Sequence, residues 1–139
     1  MFKINCLFEK ETGTDAMNPL GDIEFTDGRS TVAVRTTYID SWLDALIKSV
    51  YRIRQGENPE VAIPEEPVIL YMKLDESGGV TVREGNYAVR AKDSLAFEEA
   101  LRVACGSFLE GVTEQEEAAH NPAIREIKAF WAMPAERSG

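Results

Sequence analysis

Between Tyr38 and Gly111 the chain carries two helical stripes separated by three short strand patterns, and this order constrains the fold more than any other feature. Trp42, Leu46, Val50 and Ile53 fall on one side of a helix, with Leu43 and Ile47 widening the stripe. Phe97, Leu101, Ala104, Cys105 and Phe108 do the same for a second helix. Two apolar stripes of this width need a sheet to bury against, and the segments between and before them supply the strands. Val68 to Met72 is almost continuously apolar, which predicts a strand covered on both faces or central in the sheet. Asp75-Glu76-Ser77-Gly78-Gly79 turns it into Val80-Thr81-Val82, and Glu84-Gly85-Asn86 turns that into Tyr87-Ala88-Val89.

The segment ahead of this block adds strands. Phe2, Ile4, Cys6 and Phe8 alternate at strand period, Glu11 to Gly21 has loop chemistry, and Ile23 with Phe25 alternates again. Asp27-Gly28 predicts a hairpin turn into Val32 and Val34. Asp40 or Ser41 is the expected cap of the first helix, Ser41 with Asp44 resembling a capping box, and Gly56 supplies its stop. Asp93 or Ser94 caps the second, with Glu98, Glu99 and Arg102 expected to face outward and Gly111 to end it. Thr113 and Glu116 form a capping box for a short polar helix, and Asn121-Pro122 opens a last one bearing Ile124, Ile127 and Trp131. The expected fold is α+β: an antiparallel twisted sheet of about five to six strands on two main helices, plus a short C-terminal helix. It reads as a single domain over residues 1–139, with N-terminal strands (1–37), a helix–strands–helix core (38–112), C-terminal helices (113–133) and a frayed tail (134–139).

Composition narrows the class. No apolar run approaches the roughly 18 residues that a membrane span needs. The first nine residues alternate and carry charge too early for the apolar region of a signal peptide, so a cytoplasmic location is expected. Asp and Glu number 24 against 15 Lys and Arg, a net charge of -9 that repels phosphate backbones and attracts basic partners. Cys6 and Cys105 are far apart with no Cys-x-x-Cys spacing, so they read as buried free thiols in a reducing compartment.

The chain carries little that resembles a reaction centre, and no catalytic residue or cofactor is expected. His120 is the single histidine and sits in a loop pattern, which with no cysteine cluster disfavours a zinc site. No Gly-rich phosphate loop and no Gly-x-Ser-x-Gly elbow is present. Adjacent carboxylates at Glu65-Glu66, Asp75-Glu76, Glu98-Glu99 and Glu116-Glu117 leave open an enzyme working with carboxylates alone, or a Mg²⁺ or Ca²⁺ site; solvated turns and helix exteriors are the commoner use of such pairs.

The block from residue 38 to 112 resembles a group of small bacterial proteins, some associated with immunity to polymorphic or contact-delivered toxins. The matching residues are Asp40, Trp42 and Leu43 at the helix start, Arg54 and Gly56 at its end, Glu65-Glu66-Pro67 leading into the apolar strand, and Phe97 and Leu101 in the second helix. The N-terminal hairpin and last helix fall outside it. The resemblance implies an immunity-type protein that binds and neutralises a cognate toxin. With no reaction centre in sight it is expected to be non-catalytic, and the net charge of -9 makes the expected partner a basic toxin domain, with no direct nucleic-acid or membrane contact. Glu57 to Pro67 holds four glutamates, three prolines and no basic residue, so Glu57, Glu60, Glu65 and Glu66, with Asp75 and Glu76 at the next turn, are the expected contacts. Two alternatives stand beside this: a small-molecule-binding or regulatory domain with a pocket near Trp42, Tyr71 and Tyr87, and a phage-type acidic inhibitor mimicking nucleic acid.

Overall fold

A computed structural model describes residues 1–9, 18–64, 66–112 and 121–133. Among these residues seven strands and three helices follow one another as β1 (Lys3–Phe8), β2 (Leu20–Thr26), β3 (Thr31–Tyr38), α1 (Ile39–Arg54), β4 (Glu60–Val61), β5 (Leu70–Leu74), β6 (Val80–Glu84), β7 (Tyr87–Ala91), α2 (Ser94–Val112) and α3 (Pro122–Ala132). The α+β class is as the patterns predict. The strands, however, form two antiparallel sheets, β1-β2-β3 and β4-β5-β6-β7, where the sequence predicts one sheet of fewer strands. The division falls where α1 interrupts the strand run: β3 passes straight into that helix, so nothing carries its ladder onward to β4. The predicted polar helix from Thr113, like Glu116, Glu117 and His120, lies outside the described residues.

β3 meets β2 with a bulge that sets which side chains point inward where the strand enters α1. Gly21 pairs with Thr37 and Ile23 with Val34, so Asp22 alone faces Arg35 and Thr36. Thr36 takes a φ of 52°, an unusual conformation for a β-branched residue, and its N–H donates to Asp22 Oδ1 at 2.8 Å. The extra residue shifts the inward phase of the strand from Val32 and Val34 to Thr37, which is buried. Thr37 Oγ1 then accepts the indole N–H of Trp42 at 2.8 Å and donates to the Glu66 carboxylate, 2.8 Å from Oε2.

Because β3 runs directly into α1, the predicted side-chain cap is not used. Tyr38 occupies the cap position without a side-chain hydrogen bond, and the Ile39 N–H donates to the Pro19 carbonyl at 3.0 Å. Asp40 lies inside the first turn and is buried; Asp44 pairs with Lys48 at 3.1 Å instead of closing a box on Ser41. The Trp42 stripe is buried as predicted, and Gly56 follows the helix with φ 82°. In α2 the Asp93 cap is present, its Oδ1 accepting the Ala96 N–H at 2.7 Å. The helix continues through Gly111, which gives room for the Phe8 ring and is not a stop.

The three helices pack together, α1 and α2 also contacting the strands, and the buried apolar residues of all elements form one cluster. Several predicted faces are not the observed ones. Glu98 is buried, not outward, because Arg54 at the end of α1 reaches it, Nε to Oε1 at 2.8 Å. On α3 Phe130 takes the core position next to Ile124 and Ile127, leaving Trp131 52% exposed. β5 alternates, Leu70 and Met72 inward with Tyr71 and Lys73 outward, so it is covered on one face only, while its place between β4 and β6 is the inner position that its apolar run also allowed.

Gly21 sits where a side chain has no room: a Cβ there would overlap the Leu7 carbonyl oxygen of the neighbouring strand. Gly21→Ala should lower unfolding free energy by about 1–3 kcal/mol, read as a lower urea midpoint at unchanged slope. An unchanged midpoint would show that β1 can move away at no cost.

Candidate functional site

The acidic connector after α1 does not wander. Arg52 Nε holds Glu57 Oε1 at 3.1 Å, Asn58 Oδ1 accepts the Leu74 N–H at 2.9 Å, and the Pro59 carbonyl accepts the Met72 N–H at 3.0 Å. Residues 57–61 are thereby laid antiparallel along β5, with Glu60 opposite Tyr71 and Val61 opposite Leu70. Since Asn58 is bonded to Leu74, the connector reaches the start of the turn at Asp75 and Glu76. The structure thus puts Glu57 and Glu60 on or beside the β4 edge strand and Asp75 and Glu76 in the turn between the inner strands β5 and β6, with Asn58–Leu74 linking the two segments.

Their roles there differ. Asp75 builds its own turn: Oδ1 accepts the N–H groups of Ser77 at 3.0 Å and Gly79 at 2.9 Å, and the Ser77 hydroxyl at 2.8 Å. Its Oδ2 accepts Arg90 Nε at 2.8 Å. The Arg90 bond, followed by those from Ser77 and Gly79, holds the Asp75 carboxyl well below the usual carboxylate range, and Asp75 in turn raises Arg90. Glu57 is matched by Arg52. Glu60 and Glu76 are exposed and make no ion pair among the described residues, so they are the uncompensated acids of these two segments.

Glu66 is elsewhere. It turns toward Thr37 at the β3–α1 junction, and Glu65 lies outside the described residues. The aromatic trio of the pocket alternative is dispersed: Trp42 is fully buried, Tyr71 stands on the open face of β5 under the Arg83 guanidinium, and Tyr87 is 67% exposed. Of the adjacent acids, Glu98 points inward to Arg54 and Glu99 outward, so they share no site. Among the described residues no three His, Cys, Asp or Glu side chains are grouped to hold a metal ion, and no helix is long and apolar enough to cross a membrane.

Sequence patterns missed a second polar centre, between α1 and α3. Asn121 caps α3, its Oδ1 accepting the Ala123 N–H at 3.0 Å, while its Nδ2 donates to Asp40 Oδ2 at 2.9 Å. Asp40 Oδ1 is buried without a hydrogen-bond partner among the described residues. Burial raises the Asp40 carboxyl, opposed by the Asn121 bond and aided slightly by Asp44. The only sequence signal was a polar residue on the helix stripe's edge. The cysteines are free thiols, each pushed up to about 12 by burial, so neither offers a thiolate at neutral pH.

No protein-family model matches the chain, and no curated protein or solved structure gives a match either.

A raised acid binds its proton more tightly in the folded state, so its contribution is most favourable below the ordinary aspartate value and is lost as pH rises through the folded one. Asp40→Asn should therefore flatten the stability profile across that window and leave the protein at least as stable at neutral pH. Melting temperatures of variant and parent from about pH 4 to about pH 8 check this; parallel profiles would remove Asp40 as the cause. Cys6, expected to be buried, is half-buried on its strand. A thiol-specific reagent should therefore leave Cys105 unlabelled at neutral pH until denaturant unfolds the chain and label Cys6 more slowly than in the unfolded chain; native labelling of Cys105 at the unfolded rate would contradict its burial.

Proposed function

We propose that this protein is a non-catalytic binder that neutralises a cognate protein partner, a basic bacterial toxin domain, from the cytoplasm. The supporting observation is the pair of acidic segments at β4 and the β5–β6 turn, linked through Asn58 and Leu74, where Glu60 and Glu76 stand uncompensated among the described residues. Two carboxylates without internal cations can pair with Lys and Arg of a partner, and the net charge of -9 steers that partner in from a distance. Glu57 and Asp75 have a supporting part. Their ion pairs with Arg52 and Arg90 fix the connector and the turn, so the two free acids ride on ordered backbone. Glu66 acts from within, through Thr37, and Glu65 completes the expected acidic set.

The test starts from affinity capture in the native host, followed by binding kinetics with the purified partner. Glu60→Lys with Glu76→Lys should slow association by about tenfold or more at low ionic strength, with the difference shrinking as salt is added. Glu99→Lys, an exposed acid on α2, serves as the control for net charge alone. An association rate indifferent to the double reversal, or equally slowed by the control, would remove the edge as the binding site.

A further inference from the structure

Three choices on the outer face of α2 and α3 run against what an isolated helix surface favours. Val103 is apolar and β-branched yet 71% exposed, and Trp131 is 52% exposed. Gly106 interrupts the middle of α2, where glycine weakens a helix. They belong together: a Cβ at position 106 would come within 2.6 Å of Trp131 Nε1, so the missing side chain is what lets the indole lie against α2. Together with Leu109 and Ala132 they line an open groove of about 660 Å³ between the helices. Solvent-exposed Trp and Val over a glycine gap form an apolar patch of the kind that anchors protein contacts.

The charges at this groove select its occupant. Glu110 on α2 and Lys128 on α3 both line it, both are exposed, and neither makes an ion pair among the described residues. One anion and one cation make the groove locally neutral in a molecule of net charge -9. A strongly basic or strongly acidic partner finds no excess of opposite charge here. A second copy does: a two-fold axis through the groove sets Glu110 of each chain against Lys128 of the other, both pairs formed by one operation. Local neutrality also matters because two copies otherwise repel each other.

We infer that the α2–α3 groove is a self-association surface, on which a second copy of this chain seats with the two Trp131 side chains near the axis and reciprocal Glu110–Lys128 pairs flanking them. This surface is separate in sequence and in fold from the β4 edge proposed to bind the cognate partner, and does not depend on that reading.

Sedimentation of the full chain from about 1 µM to about 1 mM tests it. The expected result is a reversible monomer–dimer equilibrium, with Trp131 emission moving to the blue as concentration rises while fully buried Trp42 stays constant. Glu110→Lys alone and Lys128→Glu alone should each weaken the dimer by at least tenfold, and the two combined should restore it to within about threefold. Val103→Lys, at a position too exposed to affect folding, should abolish it, with an unchanged melting curve of the monomer as control. A monomer at every concentration overturns the inference, whether an aqueous quencher reaches Trp131, leaving the groove to a different protein, or fails to reach it, assigning the groove to the chain's own residues. A dimer indifferent to the charge swap and to Val103→Lys overturns it equally.

Discussion

The buried hydroxyl of Thr37 is the contact on which the rest of the structure turns. It is the acceptor for the largest buried side chain, Trp42, and the donor to Glu66 at the far end of the acidic connector. A strand, a helix and the lead into the second sheet are therefore joined at one atom. None of these polar groups would be tolerated unpaired at such depth, since a buried indole N–H or hydroxyl without a partner costs about 1–3 kcal/mol. The arrangement needs Thr37 to point inward, and that requires the bulge at Asp22 and the positive φ of Thr36. A conformation costing roughly 1–2 kcal/mol on its own is retained because the surrounding contacts fix it.

What the sequence made visible and what it hid divide along physical lines. The α1 stripe, the Asp93 and Asn121 caps and the turns at residues 27–28 and 75–79 rest on local periodicity and local hydrogen bonding, and the structure has them. Glu98, Trp131 and the cap of α1 depend on partners distant in sequence, and there local rules gave the wrong face. Glu98 is a good helix-exterior residue until Arg54 arrives from α1 to neutralise it. Trp131 follows Ile124 by seven residues and Phe130 by one, so periodicity alone does not say which aromatic enters the core. The bulge at Asp22 leaves no mark that a strand pattern would reveal, because its left-handed residue is threonine where glycine is usual. Of the acidic set, the link between the β4 segment and the β5–β6 turn was not legible, since it depends on Asn58 bonding Leu74. Its chemistry was, as a run of glutamates without cations.

Net charge is a poor guide to where this molecule is negative. Asp22 and Glu24 share Arg35, Asp44 holds Lys48, Glu57 holds Arg52, Glu98 holds Arg54 and Asp75 holds Arg90. Apart from the buried Glu98–Arg54 pair, these are exposed and contribute only about 0–1 kcal/mol each to stability. Their larger effect is to cancel acids locally, so the surplus is expressed by the carboxylates left over, Glu60 and Glu76 among them.

Asp27 joins the two sheets. Its carboxylate closes the β2–β3 turn by accepting from Arg29 and Ser30, each at 2.9 Å, and its other oxygen accepts the β7 N–H of Arg90 at 3.1 Å. Every strand pairing among the described residues joins a strand to the next or previous one in the chain, so each ladder can form from contacts close in sequence. Asp27 is therefore a clasp between two pieces that are each paired locally, a single carboxylate serving a turn of one sheet and an edge strand of the other.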